Sequence, residues 1–178
     1  MAMRKSLNAE LTSLNSIMNQ LVRKANMQDL QHINDLIKQS ARIIQVQFYT
    51  EPLVETALEL VSNIETLIQS GEFFVIECEN RVIACGGVRP CEIEPHKAEI
   101  KGFFVHPEFA RKGIATELLR VCEEKSLSAG VKFLYLTATL SGEPFYKKCG
   151  FAELQRLQQP LSSGETFALV KMHKKLQA

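Results

Sequence analysis

No stretch of the sequence approaches the roughly 20 consecutive apolar residues that a membrane-spanning helix needs, and the opening residues lack the apolar core of a secretory signal. A cytoplasmic protein without a membrane partner is therefore expected. Neither sign of charge is in excess: 21 lysines and arginines stand against 20 aspartates and glutamates, for a net charge of +1. Without a basic block, extended binding to nucleic acid is not expected. Cysteine is sparse. The five (Cys78, Cys85, Cys91, Cys122 and Cys149) are odd in number, show no C-x-x-C spacing and lie mostly among apolar residues. They read as reduced packing residues, with neither disulfides nor a metal site. Two standard phosphate motifs are also missing: the chain has no G-x-x-x-x-G-K-[ST] and no G-x-G-x-x-G.

The composition that is present, 46% hydrophobic and 23% charged residues in a chain of 178, suits one globular domain with a sizeable core. Its organising stretch runs from Val105 through His106, Pro107 and Arg111-Lys112-Gly113 to Thr116. An apolar run, Ile100 to Val105, stops at Pro107. Helical spacing then joins Ile114 and Ala115 to Leu118, Leu119 and Cys122. The first turn of such a helix has N–H groups without intrahelical partners. Those donors, the positive end of the dipole, Arg111 and Lys112 together make an anion site best suited to phosphate. Gly113 admits the ligand close to the backbone, and Ala115 keeps the approach clear.

Around this stretch the pattern alternates between the two periodicities. Leu7, Leu11, Leu14 and Met18 mark an amphipathic accessory helix or extension over residues 1–20, ahead of a single domain over residues 21–178. Strands are expected over Leu21–Ala25, Phe73–Glu77, Arg81–Arg89, Lys97–Val105, Lys132–Thr137, Phe151–Arg156 and Thr166–His173, the second and third as a hairpin. Helices are expected over Met27–Ala41 behind an Asn26 cap, from Pro52 to Val61 with further turns toward Gln69, over Gly113–Ala129 and over Glu143–Cys149. That order is α+β with one βαβ crossover.

The strings Ala98-Glu99-Ile100-Lys101, Val105-His106-Pro107, Gly113-Ile114-Ala115 and Pro144-Phe145-Tyr146-Lys147-Lys148-Cys149-Gly150-Phe151 together resemble the GNAT family of acetyl-CoA-dependent N-acetyltransferases. The resemblance is dense from about Phe73 to Arg156 and thinner on either side. It implies a mixed, mostly antiparallel sheet flanked by helices, with acetyl-CoA bound where two neighbouring parallel strands, Lys97–Val105 and Lys132–Thr137, splay apart. It implies cofactor contacts from Phe103, Phe104 and Val105 through their backbone, completing the opened strand. Further contacts come from Arg111, Lys112, Gly113, Ile114, Ala115 and Thr116 at the phosphate turn. The family's loop usually reads Q/R-x-x-G-x-G/A, and its first position here is Ala110, with Arg111 adjacent. Ser141 stands where many relatives carry an asparagine that touches the cofactor.

Acetyl transfer requires a base for the incoming ammonium, a donor for the oxyanion and a donor for the leaving thiolate. A lysine-like amine of pKa about 10.4 arrives charged, and a carboxylate in the cleft can take its proton. Glu99 is the candidate, at a position where relatives often carry a base. Strict alternation would place it on one face with Lys101, Phe103 and Val105. Tyr146 stands where the family's general-acid tyrosine stands, and a backbone N–H near Val105 would meet the oxyanion. His106 reads as structural. For the acceptor, Phe48 and Tyr49 offer apolar walls and Glu51 a partner for an ammonium. A small primary amine is expected, acetylated by a monomer or homodimer. A protein N-terminus, a lysine, or acyl-CoA binding without turnover are the competing readings.

Overall fold

The structure is a computed structural model, and it describes residues 20–177. The accessory helix expected over residues 1–20 lies outside the described residues, except that Gln20 opens the first strand. Seven strands, β1 (Gln20–Lys24), β2 (Phe73–Cys78), β3 (Arg81–Pro90), β4 (Lys97–Val105), β5 (Phe133–Thr139), β6 (Ala152–Pro160) and β7 (Thr166–Lys175), form one sheet in the order β1-β2-β3-β4-β5-β7-β6. Only β4 and β5 run parallel; every other neighbouring pair is antiparallel. Helices α1 (Leu30–Ile44), α2 (Glu51–Ala57), α3 (Ile64–Gln69), α4 (Ile114–Ser128) and α5 (Glu143–Lys148) flank it. The mixed α+β fold expected from the element order is the one observed. No helix among the described residues is long and apolar enough to cross a membrane.

Local chemistry explains the boundaries. Asn26 and Asp29 close a reciprocal capping box over a short 3-10 turn, so α1 starts at Leu30, three residues after the expected Met27. Thr50 and Pro52 open α2. The helix does not continue to Gln69. A 3-10 turn at Leu58–Leu60 ends it, Val61 leaves the helical region and Asn63 takes a left-handed conformation at φ 65°, which asparagine tolerates. The further turns form separately as α3.

The sheet buries both faces. One packs under α4 and α5 through Phe74, Ile76, Ala84, Ile100, Leu118 and Leu134. The other packs under α1 and α3 through Ile33, Leu67, Phe73, Val75 and Cys85. A third cluster on that second side joins Ala41, Val54 and Ala57 to Phe167.

Strand β4 changes face midway. Its partners on β3 run Lys101↔Gly87, then Phe104↔Cys85, so two residues of β4 oppose the single Gly86. Gly102 absorbs the bulge at φ 64°. A side chain on Gly86 would stand 2.3 Å from the Phe103 ring, so the ring lies across that glycine. Before the bulge, Ala98 and Ile100 face α4; after it, Phe103 and Val105 do. Glu99 and Lys101 are left on the opposite side. Strict alternation, which put Glu99 with Phe103 and Val105, therefore fails at Gly102.

Candidate active site

The parallel ladder between β4 and β5 is short. It pairs Lys97 with Phe133, Ala98 with Leu134 and Glu99 with Tyr135, and ends there, although β4 runs on to Val105 and β5 to Thr139. Beyond Glu99 the backbone of β4 has no strand partner on its β5 side. This is the splay expected of the two strands, and it leaves backbone donors and acceptors that an extended amide chain can pair with.

At the C-terminal end of β4, His106 and Pro107 lead through a 3-10 turn (Pro107–Phe109) into α4. His106 is buried beside Arg81, and burial and that guanidinium both lower the basicity of its imidazole. Both favour the neutral ring, against the smaller opposing pull of Glu108. Arg111 and Gly113 both take left-handed conformations, at φ 63° and 83°. No side chain caps α4, and the N–H groups from Arg111 through Thr116 have no acceptor among the described residues. A side chain added at Gly113 would meet nothing within 4 Å, so the space beside this turn is open. Arg111, Lys112 and Thr116 are exposed, Ala115 is half-buried, and Ile114 sits in the core with only its N–H available to a ligand. The set fits a phosphate group: up to six convergent donors, a helix N-terminus and two cations.

Tyr146, on α5, lies on the α4 side of the sheet. Its ring contacts those of Phe103, Phe145 and Phe151 at centroid separations of 6.4, 5.0 and 5.5 Å. The side chain is 8% exposed, and its hydroxyl has no hydrogen bond among the described residues. Burial pushes the phenol well above its usual value, and the nearby Cys122 and Cys149 thiols add to the shift. Tyr146 is thus a neutral donor with a free proton. Ser141, just before α5, shares a hydrogen bond with Thr139 at 2.9 Å.

Glu99 lies on the other face. It is 8% exposed, with one carboxylate oxygen against Arg89 and the other 3.4 Å from Lys101 Nζ. Neither Arg89 nor Tyr135, its ladder partner, was reached from the sequence; both follow only from the strand register. The acceptor-side residues separate. Phe48 and Glu51 are exposed, the latter in the first turn of α2. Tyr49 is buried, stacked on Phe167 at 4.1 Å. Its hydroxyl donates to the Ala168 carbonyl and accepts from the Leu140 N–H, both at 2.7 Å. That puts Tyr49 in the core, as a tie that fixes the turn leading into α5, and away from the open wall expected of it. Phe103 and Phe104 point to opposite sides, and both are packed against apolar clusters.

Comparison with known proteins agrees with this fold. A family described as Acetyltransferase (GNAT) matches residues 33–151. No curated protein matches the chain. Among solved structures, a GCN5-related N-acetyltransferase from Rhodopseudomonas palustris superposes with a TM-score of 0.74 at 18% identity, covering 89% of this chain and 96% of that one. The PaiA N-acetyltransferase of Thermoplasma acidophilum, solved with coenzyme A, gives 0.68 at 21% identity, covering 88% and 98%. A ribosomal-protein-alanine N-acetyltransferase from Brucella melitensis gives 0.64 at 21% identity, covering 88% and 99%. With the family matched over most of its length and the same fold in these enzymes, the chain belongs to the GNAT family of acetyltransferases.

Proposed function

We propose that residues 21–178 act as one catalytic domain that moves an acetyl group from acetyl-CoA to a small primary amine by direct transfer. The observation that carries this reading is the coincidence of three features at one strand split: the unpaired edge of β4, the uncapped start of α4 and the free hydroxyl of Tyr146. Acetyl-CoA supplies the activated thioester. The N–H groups from Arg111 to Thr116, with Arg111 and Lys112, hold its phosphates. The β4 backbone from Phe103 to Val105 pairs with its amide arm, and a backbone N–H near Val105 receives the carbonyl oxygen as charge builds there.

Because of the bulge at Gly102, donor and acceptor groups stand on opposite faces of the sheet. Tyr146, Phe103 and the phosphate turn serve the α4 side; Glu99 serves the other. The amine enters from the Glu99 side and gives up a proton to that carboxylate, directly or through water. Its nitrogen would then form the C–N bond as the C–S bond breaks, with the Tyr146 hydroxyl hydrogen-bonded to the departing sulfur and the second proton of the nitrogen passing to the thiolate, directly or through water, to leave a neutral amide and a free thiol. With the phenol raised above its usual pKa, full proton transfer to a thiolate of about 8.5 is uphill. Stabilisation by the hydrogen bond is therefore the larger part of its contribution.

The reading is tested by incubating the protein with acetyl-CoA and a panel of amines, and following free thiol and N-acetylated product together. Product with stoichiometric thiol supports it. Thermal stabilisation by acetyl-CoA without thiol release from any amine, peptide or protein would leave an acyl-CoA-binding module.

The phosphate turn makes its own prediction. Gly113→Val places a β-branched residue at a left-handed position, at a cost of about 1–2 kcal/mol of stability, and projects into the open space beside the turn. Acetyl-CoA affinity should fall about tenfold or more, whereas Arg111→Ala, which removes one exposed charge, should cost only a few-fold. Isothermal titration of both folded variants checks this; unchanged affinity in Gly113→Val would move the phosphate site elsewhere.

A further inference from the structure

We propose that the acceptor carries, besides its amine, an anionic group, either carboxylate or phosphate, held by Lys101 and Lys171 on the acceptor side of the strand split. The inference rests on the acetyl-transfer reading above and narrows its substrate. Continuing the β4–β5 register past Glu99↔Tyr135 would set Lys101 opposite Thr137, and Thr137 pairs with Lys171 on β7. The ladder has ended by then. Lys101 therefore forms one lip of the split, and Thr137 with Lys171 forms the other. All three lie on the Glu99 face, because the intervening Leu136, Ala138, Val170 and Met172 are buried on the α4 side.

Lys101 is shared with Glu99, 3.4 Å away, whereas the other lip is uncommitted. Thr137 and Lys171 are exposed, and neither belongs to the apolar clusters on their side of the sheet. Lys171 has no ion pair among the described residues, and its β6 partner, Gln155, is uncharged. Arg89 and Lys101 engage the two oxygens of Glu99, and Lys171 stands on the same face across the split, beside Thr137, so this strip holds three cations to the one carboxylate Glu99. A purely cationic acceptor such as a polyamine meets net repulsion there. An amine that also bears an anion is met at both ends, its ammonium by Glu99 and its anion by the lysines.

The test uses matched pairs: each common α-amino acid against its carboxamide, and O-phosphoethanolamine against ethanolamine. Binding is read by thermal shift in the presence of CoA, and turnover by thiol release from acetyl-CoA. The anionic member of the preferred pair should bind about tenfold more tightly, and the preference should shrink with added salt. Lys171→Gln should reduce it and Lys171→Glu should reverse it; both change an exposed side chain and should fold. The amino-acid and phosphate arms decide which anion is held. Equal binding within every pair, or a preference that survives Lys171→Glu, overturns the proposal. Thiol release from neutral amines without an anion preference would leave acetyl transfer standing and remove this inference. Anion-selective binding lost in Lys171→Glu, with no thiol release, would do the reverse.

Discussion

Tyr146→Phe should lower kcat by about 10²–10⁴-fold while the protein stays folded and binds acetyl-CoA normally. The aromatic packing against Phe103, Phe145 and Phe151 is kept, since only the hydroxyl is removed. That hydroxyl has no hydrogen bond among the described residues, so its loss leaves no protein group unsatisfied. The hydroxyl is not among the fully buried polar atoms without a partner, so water can satisfy it and its removal should leave thermal stability nearly unchanged. Unchanged stability with a large loss of turnover is a combination that structural damage does not produce. The pH profile adds a sign. Burial raises the phenol's pKa, so the group stays protonated through the assay range and gives the wild-type rate no alkaline limb below about pH 10. Near-normal kcat in Tyr146→Phe, with chemistry shown to be rate-limiting, would remove the tyrosine from the reaction.

Glu99→Gln should cost about 10²–10³-fold in kcat/KM near neutral pH, and the defect should shrink as pH rises. The amide keeps the shape, although its single carbonyl oxygen replaces only one of the two oxygens that face Arg89 and Lys101, and the backbone ladders to β3 and β5 are untouched. What is lost is the proton acceptor. As pH approaches the amine's pKa, about 10.4 for a lysine-like group, more acceptor arrives neutral and the base matters less. A defect of the same size at every pH would make Glu99 a group that positions the ammonium instead. The two variants also differ by face. Tyr146 belongs to the side of α4 and the thioester, Glu99 to the side where the amine enters, and the predicted profiles separate accordingly.

The phosphate turn was legible because its residues are contiguous. A strand ending before Pro107, a glycine at 113 and an apolar helical stripe behind it encode an uncapped helix start within a dozen residues. The paired strands were legible for the same reason, from local alternation. Harder to read was the change of face inside β4. Gly102 interrupts the alternation and Gly86 clears room for the Phe103 ring, and glycines inside two neighbouring strand patterns are the signal of such a bulge. Nothing local tells which side a strand returns to after a bulge; that is fixed by Phe103 and Val105 finding the α4 cluster. Arg89, Tyr135 and Lys171 were out of reach entirely. Arg89 and Tyr135 meet Glu99 only through the register of β3 and β5 on β4, and Lys171 reaches the same face only because β7 is inserted between β5 and β6. Tyr49 shows the opposite limit. Its position suits an open wall, but its two hydrogen bonds, to partners 91 and 119 residues away, and the stacked Phe167 are contacts between distant parts of the chain.

The most direct measurement is a crystal structure of the protein with acetyl-CoA or CoA. The account predicts phosphates at the N–H groups of Arg111 to Thr116, the amide arm alongside Phe103 to Val105, and the sulfur in the gap beyond Glu99 on the Tyr146 side of the sheet. A cofactor bound away from the α4 N-terminus, or with its sulfur on the Glu99 face, would contradict it.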